Sequence, residues 1–237
     1  MTYEIVRSEP LAQQVYRVLR DGILNGRFQP GEKLVETKLA SELKTSRSPV
    51  REALRQLCTE QLAEQVDGAI RVFNPSFEDY LELYELRLTI ESMAARLAAQ
   101  RMTEAHLQRL ETLQRETERV VAVMDVQRLV ALNTAFHTEI VAACHNRRLQ
   151  RVFHEVSTLI EYYCRLVLHI NQMQTNIVAE HLRVLDALAA GDAEGAYTAM
   201  YEHILRDTEV IRRNMARYEG ASQDAFQEEA IRWRGNL

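Results

Sequence analysis

Glycine and proline interrupt regular structure more strongly than any other residues, and this chain of 237 residues contains only eight and four of them. That scarcity calls for long, uninterrupted helices. Leu11, Val15, Val18, Leu19 and Ile23 recur at helical spacing, so a first helix is expected over Leu11–Leu24. Gly26 stops it, and Gln29-Pro30-Gly31-Glu32 reads as a turn. A short second helix is expected from about Glu36 to Leu43. Thr45-Ser46 then caps a third over Arg47–Thr59, whose first turn tolerates Pro49. Ala63–Phe73 departs from this pattern, with two β-prone stretches around Asp67-Gly68, a dipeptide typical of tight hairpins.

Three helices followed by one hairpin is the order of a winged helix-turn-helix. Asn74-Pro75-Ser76 is the natural boundary after it, so residues 1–74 are expected to form one domain. Beyond that point only helical patterns remain, at roughly 76–100, 103–123, 125–145, 147–171, 175–190 and 193–217. Thr103, Thr175 and Asp192 are the expected N-caps at three of the breaks. Six amphipathic helices with short loops imply an antiparallel α-helical bundle over 75–218. The remaining residues, 219–237, read as a polar, frayed tail. The fold class expected is therefore mostly α, in two domains, which suits a chain longer than most single cores require.

The net charge of −5 looks wrong for a nucleic-acid binder, but its distribution matters more than its sum. Residues 1–74 carry 11 basic and 10 acidic side chains, a charge of +1, whereas 75–237 carry 18 and 24, a charge of −6. Residues 38–55 alone hold five basic and two acidic side chains, enough for a focused phosphate contact. No apolar run approaches the ~20 residues needed to cross a bilayer, and the first ten residues lack the apolar core of a signal peptide. Cys58, Cys144 and Cys164 are odd in number and widely spaced, which suits buried thiols in a reducing cytoplasm. A cytoplasmic protein with no membrane partner is expected.

One segment carries a denser signal. Gly26-Arg27-Phe28-Gln29-Pro30-Gly31, Leu34, Leu39-Ala40 and Leu43 precede Ser46-Arg47-Ser48-Pro49-Val50-Arg51-Glu52-Ala53-Leu54, and Leu57, Leu62 and Gly68 follow. Together they closely resemble the GntR family of bacterial regulators. Gln61 departs from the pattern, because the family usually has Gly before that Leu. The C-terminal half resembles the effector domain of the FadR-like branch (the FCD type). Arg87 and Glu91, Asn133, Phe136 and His137, Asn146, His181 and His203 carry that likeness.

Arg47, Arg51 and Arg55 recur every four residues and share one face of the third helix. Arginine is the commonest base reader in the major groove, because its fork matches guanine O6 and N7. The hydroxyls of Ser46 and Ser48 and the helix N-terminus are placed to hold a phosphate. Gly68 at the wing tip lets backbone approach the minor groove. The resemblance implies that Arg47 and Arg51 are the principal readers, with Ser46, Ser48 and Gly68 in support. A basic position common in the second helix of FadR-type proteins is Thr37 here, so the operator need not match theirs. The competing structural reading pairs these arginines with Glu52 and other acids on a solvated face.

In the second domain, Asn133 and His137 project from one helix face whose other members are Val130, Ile140, Val141 and Cys144. His181 lies on a similar stripe, and His203 follows on the next helix. Facing helices of a bundle are where metal sites are built. Three imidazoles and one oxygen suit Zn, Ni or a related divalent ion. In family register, many relatives have Asp at Asn133, so a neutral amide here is a weaker donor. The bland reading of each histidine is a satisfied core residue. Arg87, with Tyr84 beside it, needs an anionic partner inside the bundle. That partner is either Glu91, one turn on, or the carboxylate of an effector. Tyr162, Tyr163 and Arg165 are further candidate lining residues. His106, His145, His154 and His169 lack this register.

The leading expectation is a homodimeric repressor that reads a near-palindromic double-stranded operator and responds to a small organic acid. Two others stay open: a metalloenzyme using the three histidines, and a regulator whose helical half only dimerises.

Overall fold

The computed structural model describes residues 9–123, 125–170 and 176–216, without the side chains of 165–170, 210–211 and 213–216. The elements run α1 (Leu11–Leu24), α2 (Glu36–Glu42), α3 (Arg47–Thr59), β1 (Ala63–Val66), β2 (Ala69–Val72), α4 (Phe77–Arg101), α5 (Glu104–Val123), α6 (Val126–Ala143), α7 (Arg147–Ile170), α8 (Ile177–Ala189) and α9 (Ala193–Ala216). They divide into two compact units, one within Met1–Pro75 and the other within Ser76–Leu237. The expected tail at 219–237, the cap Thr175 and the Arg165 side chain lie outside the described residues.

In the first unit, α1 lays Val15, Leu19 and Ile23 against Val50, Ala53, Leu54 and Leu57 of α3, all nearly inaccessible to solvent. Burying such side chains is the main stabilising term, at about 25 cal/mol per Å² of apolar surface. The hairpin pairs Ala63 with Val72 and Val66 with Ala69. Asp67 and Gly68 both take positive φ at its tip, 50° and 74°, the signature of a type I′ turn. A Cβ at Gly68 would meet nothing within 4 Å, so backbone conformation alone calls for glycine there. The segment after the Pro30-Gly31 turn docks on β2, with Leu34 N donating to Ile70 O (2.8 Å) and Val72 N to Glu32 O (2.9 Å). The wing is thereby anchored at its base.

The end of α3 explains the departure at Gln61. Leu62 N donates to Leu57 O (2.9 Å) and Gln61 N to Cys58 O (3.2 Å), which is the Schellman closure. It places Gln61 in the left-handed region at φ 57°, where glycine carries no Cβ penalty. Lys44 and His145 take the same conformation after α2 and α6, at φ 50° and 49°.

In the second unit α4 is central, packing against α6, α7, α8 and α9. Its start is fixed by a capping box, in which Asp79 N donates to Ser76 Oγ (3.1 Å) and Ser76 N to Asp79 Oδ2 (2.8 Å). Asp192 caps α9 by accepting from Gly195 N at 2.9 Å. Asp125 does the same for α6. Ala94, Ala95 and Ala98 let neighbouring helices approach α4 closely, while Tyr80, Tyr84, Arg87 and Glu91 occupy its inward face. Among the described residues no helix is long and apolar enough to cross a membrane.

Candidate functional site

Two clusters of polar side chains stand out, one in each unit. The first is on α3. Ser46 sits at its N-cap with an extended backbone, yet its hydroxyl makes no capping hydrogen bond. That hydroxyl and the first-turn N–H groups are therefore open to an anion. Ser46, Arg47, Ser48, Arg51 and Arg55 are all exposed along α3, and Gly68 is exposed at the wing tip. The acid paired with the arginines is Glu36, the first residue of α2, and not Glu52. Arg51 Nε and Nη2 donate to Glu36 Oε1 and Oε2 at 3.0 and 3.1 Å, and Arg47 Nη2 donates to Oε2 at 3.1 Å. Glu52 is one residue, about 100°, around the helix from Arg51 and so faces elsewhere. The hydrogen bonds from Arg51 and then Arg47 hold the Glu36 carboxyl down to about 2.

The second cluster is buried between helices. Arg87 and Glu91 are 0% and 1% exposed, and His137, His181 and His203 are 3%, 0% and 2%. The ring nitrogens that the three histidines offer lie within 4.8 Å of one another. His203 Nδ1 meets Glu180 Oε2 at 2.8 Å, and Glu180 is held in turn by Arg206 Nη1 at 2.9 Å. His137 Nδ1 lies 2.5 Å from Glu91 Oε2, in contact but off the line of a good hydrogen bond. A carboxylate at Nδ1 selects the tautomer whose Nε2 carries a lone pair. The Nε2 atoms of His137 and His203 then face each other at 3.2 Å, an arrangement that needs a cation or proton between them.

His181 stacks face to face on Phe136, at 4.0 Å between ring centres, and neither of its nitrogens has a hydrogen-bond partner. Burial pushes its pKa well below the usual imidazole value, and the His203 and His137 charges add to this. Burial likewise lowers His137, against the opposing pull of Glu91. Both imidazoles are neutral at pH 7 and can serve as donors to a metal. Asn133 is one turn before His137 and gives its amide nitrogen to Cys164 Sγ at 3.7 Å. Its Oδ1 is buried without a partner. These donors fit a divalent ion. Ligands at 2.0–2.1 Å from one ion lie at most about 4 Å apart, so a small rotation of side chains closes the set.

Arg87 resolves the choice of partner in an unexpected way. Its Nε donates to Glu91 Oε1 at 2.6 Å, but Nη1 and Nη2 are buried with no hydrogen-bond partner. Burial works against both charges. The Glu91 carboxylate nevertheless raises the Arg87 pKa, and Arg87 with His137 brings Glu91 well below the usual carboxylate range. The guanidinium packs over the Tyr84 ring at 4.6 Å. The Tyr163 hydroxyl is also buried without a hydrogen-bond partner, and Tyr80 and Tyr84 stack on each other beside it. Unpaired buried polar atoms cost roughly 1–3 kcal/mol each.

Sequence reasoning missed Glu180 and Glu36. Glu180 reads as an ordinary acid beside His181, and its partner His203 is 23 residues away on another helix. Glu36 reads as an acid in a helix first turn, a common complement to the helix dipole. A groove of about 820 Å³ between α5 and α6, lined in part by Ala105, Thr112, Ala131, Ala135 and Thr138, opens on the side of α6 opposite Asn133 and His137. Its Arg109 and Glu139 pair with each other at 2.7 Å. His106 joins the same Glu139.

Comparison with known proteins matches the two units to two family models. Residues 11–69 match the model described as bacterial regulatory proteins, gntR family, and residues 82–206 match the FCD domain. The HTH-type transcriptional regulator YdhC of Bacillus subtilis is 30% identical over 214 residues, spanning 89% of this chain and 95% of its own. The HTH-type transcriptional repressor GlaR of Escherichia coli is 30% identical over 217 residues, 85% and 96% of the two chains. Among solved structures, E. coli McbR/YncC superposes with a TM-score of 0.72 at 23% identity, covering 90% of this chain and all of that one. That last likeness is one of fold. The relatives are regulators of transcription, which removes the metalloenzyme alternative.

Proposed function

Because the chain belongs to the gntR family of bacterial regulatory proteins and carries an FCD domain, we propose that it is a homodimeric repressor whose grip on a near-palindromic operator is set by a small carboxylate bound in the helical unit. DNA binding itself is the property of the family. Our assignment gives residues 1–74 to operator binding and 75–218 to effector binding and dimerisation. Arg47 and Arg51 read base edges, Arg55 extends their face, and Ser46, Ser48 and the Gly68 turn contact the backbone. One winged helix spans only a short half-site, and a two-fold protein is mirrored in a two-fold site.

His137, His181 and His203 would hold one divalent ion of the Zn or Ni type, with Asn133 Oδ1 as a weaker fourth donor. That ion supplies a Lewis-acidic anchor for an anionic ligand. Glu91 and Glu180 fix the rings of His137 and His203, and Phe136 fixes that of His181. Arg87 offers its two unpaired Nη groups to the carboxylate, with Tyr84 beneath the guanidinium. The observation that carries this reading is the meeting of three buried imidazoles with a buried guanidinium that has two unpaired donors. To act as a switch, the acid must bind one arrangement of the protein better than another, since equal affinity shifts nothing. Four residues separate the end of β2 from the helix that holds Tyr84, Arg87 and Glu91, so its movement has a short covalent path to the wing.

The test is elemental analysis of protein purified without chelator or affinity tag, followed by calorimetry with a panel of organic acids. Stoichiometric metal and one saturable acid site are expected. No metal after reconstitution with Zn, Ni and Mn would end the metal reading. No acid binding and no effect on operator affinity would leave the helical unit as a dimerisation module.

A further inference from the structure

Glu36 holds two of the three arginines exposed along α3. One carboxylate takes two hydrogen bonds from Arg51 and one from Arg47. The three side chains are 24%, 48% and 60% exposed for Glu36, Arg51 and Arg47. Exposed ion pairs add little to stability, and freezing two arginines costs rotamer entropy. A purely structural role leaves that cost without return. The geometry of the guanidinium suggests the return. Arg51 spends its Nε–Nη2 edge on Glu36 and keeps its Nη1–Nη2 edge open. The open edge is an end-on fork of two parallel donors, which suits a bidentate contact to guanine O6 and N7. Arg47 spends only Nη2.

We propose that Glu36 is a specificity-determining residue of the DNA interface, holding Arg47 and Arg51 as one preformed two-pronged reader of guanines. The inference rests on the reading of α3 as the recognition helix. Glu36 touches the readers and positions them. Its negative charge has a second effect. At every site the carboxylate offsets part of the charge of the two guanidinium groups, which weakens the sequence-independent attraction to phosphates. Specificity is a difference between affinities, and Glu36 raises it from both sides. The hydrogen bonds from Arg51 and Arg47 hold its carboxyl below the usual carboxylate range, which keeps it charged at neutral pH.

The probe is a random double-stranded DNA library, bound by full-length protein at about 0.15 M salt and sequenced. Wild type, Glu36→Gln, Glu36→Asp, Arg51→Ala and the Glu36→Gln/Arg51→Ala double variant are compared. Affinities follow on the duplex that wild type selects and on a scrambled duplex. Glu36→Gln is expected to lose roughly tenfold on the selected duplex, about the worth of one good bidentate base contact. It should gain severalfold on the scrambled duplex and flatten the guanine preference in each half-site. Glu36→Asp, which keeps the charge, should recover part of the preference. In the Arg51→Ala background, Glu36→Gln should cost less on the selected duplex than it does in wild type, because the two residues are coupled and only Arg47 is left to position.

If Glu36→Gln selects the wild-type sequence with wild-type affinity while Arg51→Ala erases it, the positioning role is overturned and the recognition helix stands. If Glu36→Gln binds both duplexes more tightly by the same factor, Glu36 merely repels DNA and the proposal falls. If Arg51→Ala also leaves the selected sequence unchanged, the recognition-helix reading fails and takes this inference with it. A melting temperature equal to wild type for Glu36→Gln assigns any loss to recognition.

Discussion

Each unit of this molecule contains an arginine–carboxylate cluster, and the two differ in every respect that matters. On α3, Arg47 and Arg51 lie in solvent around Glu36, and the three charges are mutually satisfied. In the bundle, Arg87 and Glu91 are sealed from solvent, joined by one short hydrogen bond, and the arginine keeps two donors unpaired. Water can serve the open edges of the first cluster until DNA replaces it. The second is out of reach of bulk solvent, and an unpaired buried donor is expensive. The comparison teaches that one residue pair takes its role from its dielectric surroundings. In our proposal the exposed pair serves a large partner, and the buried pair a small anion.

The largest effect should come from breaking the buried pair. Arg87→Ala leaves Glu91 charged and sealed, and removing one member of a buried pair costs about 3–5 kcal/mol. Chemical denaturation should read that loss, with part recovered in Arg87→Ala/Glu91→Ala. By contrast, Glu36→Ala should leave the melting temperature nearly unchanged. Equal losses from the two variants would erase the distinction.

Next in size is the metal. Adding Zn or Ni at about 100 times its dissociation constant to stripped protein should stabilise it by roughly 2.7 kcal/mol, and His181→Ala should abolish the gain. A pH scan sharpens this point. His137 and His181 have depressed pKa values in the folded protein, whereas unfolded histidine titrates near pH ~6.5. Below that value the unfolded chain binds protons that the fold refuses, so the stability of the metal-free protein should fall progressively as pH drops from about 6.5 toward the depressed values. A metal-free melting temperature that is flat across that window would count against neutral, buried imidazoles.

A smaller energetic effect, invisible to stability measurements, belongs to the exposed cluster. Arg51→Ala and Arg47→Ala should each weaken binding to the selected operator roughly 5- to 150-fold at fixed salt, with unaltered thermal unfolding. Wild-type affinity in both variants would refute the assignment of α3. The smallest effect tests the backbone. Gln61→Gly relieves a left-handed residue that carries a Cβ, and should stabilise the first unit by about 1 kcal/mol. A lower melting temperature would mean that the Gln61 side chain makes a contribution greater than its strain.

Much of this was legible in the chain. Helical periodicity places α1, α3 and α4 to within a residue of their observed ends, because long amphipathic helices write their burial into spacing. Asp67-Gly68 marks the wing, since only a few residues accept positive φ at adjacent positions. The histidine and arginine candidates could be named because polar side chains on otherwise apolar stripes are conspicuous. The caps were less legible. Ser76 closes its box with Asp79, while Ser46, placed at the cap of α3, leaves its hydroxyl unused.

What the sequence by itself determined is local: where helices begin and end, which faces are apolar, and which polar residues those faces carry. Tertiary structure decided the partners. Nothing near Glu180 in sequence announces His203, and nothing near Glu36 announces Arg47 and Arg51, 11 and 15 residues away on another helix. The physical reason is that helix periodicity says which way a side chain points, whereas a hydrogen bond needs two groups within about 3 Å. Only the packing of one helix on another sets that distance. The same packing left Arg87 with one partner and two unpaired donors, where the chain alone offered either Glu91 or a ligand as its counter-charge.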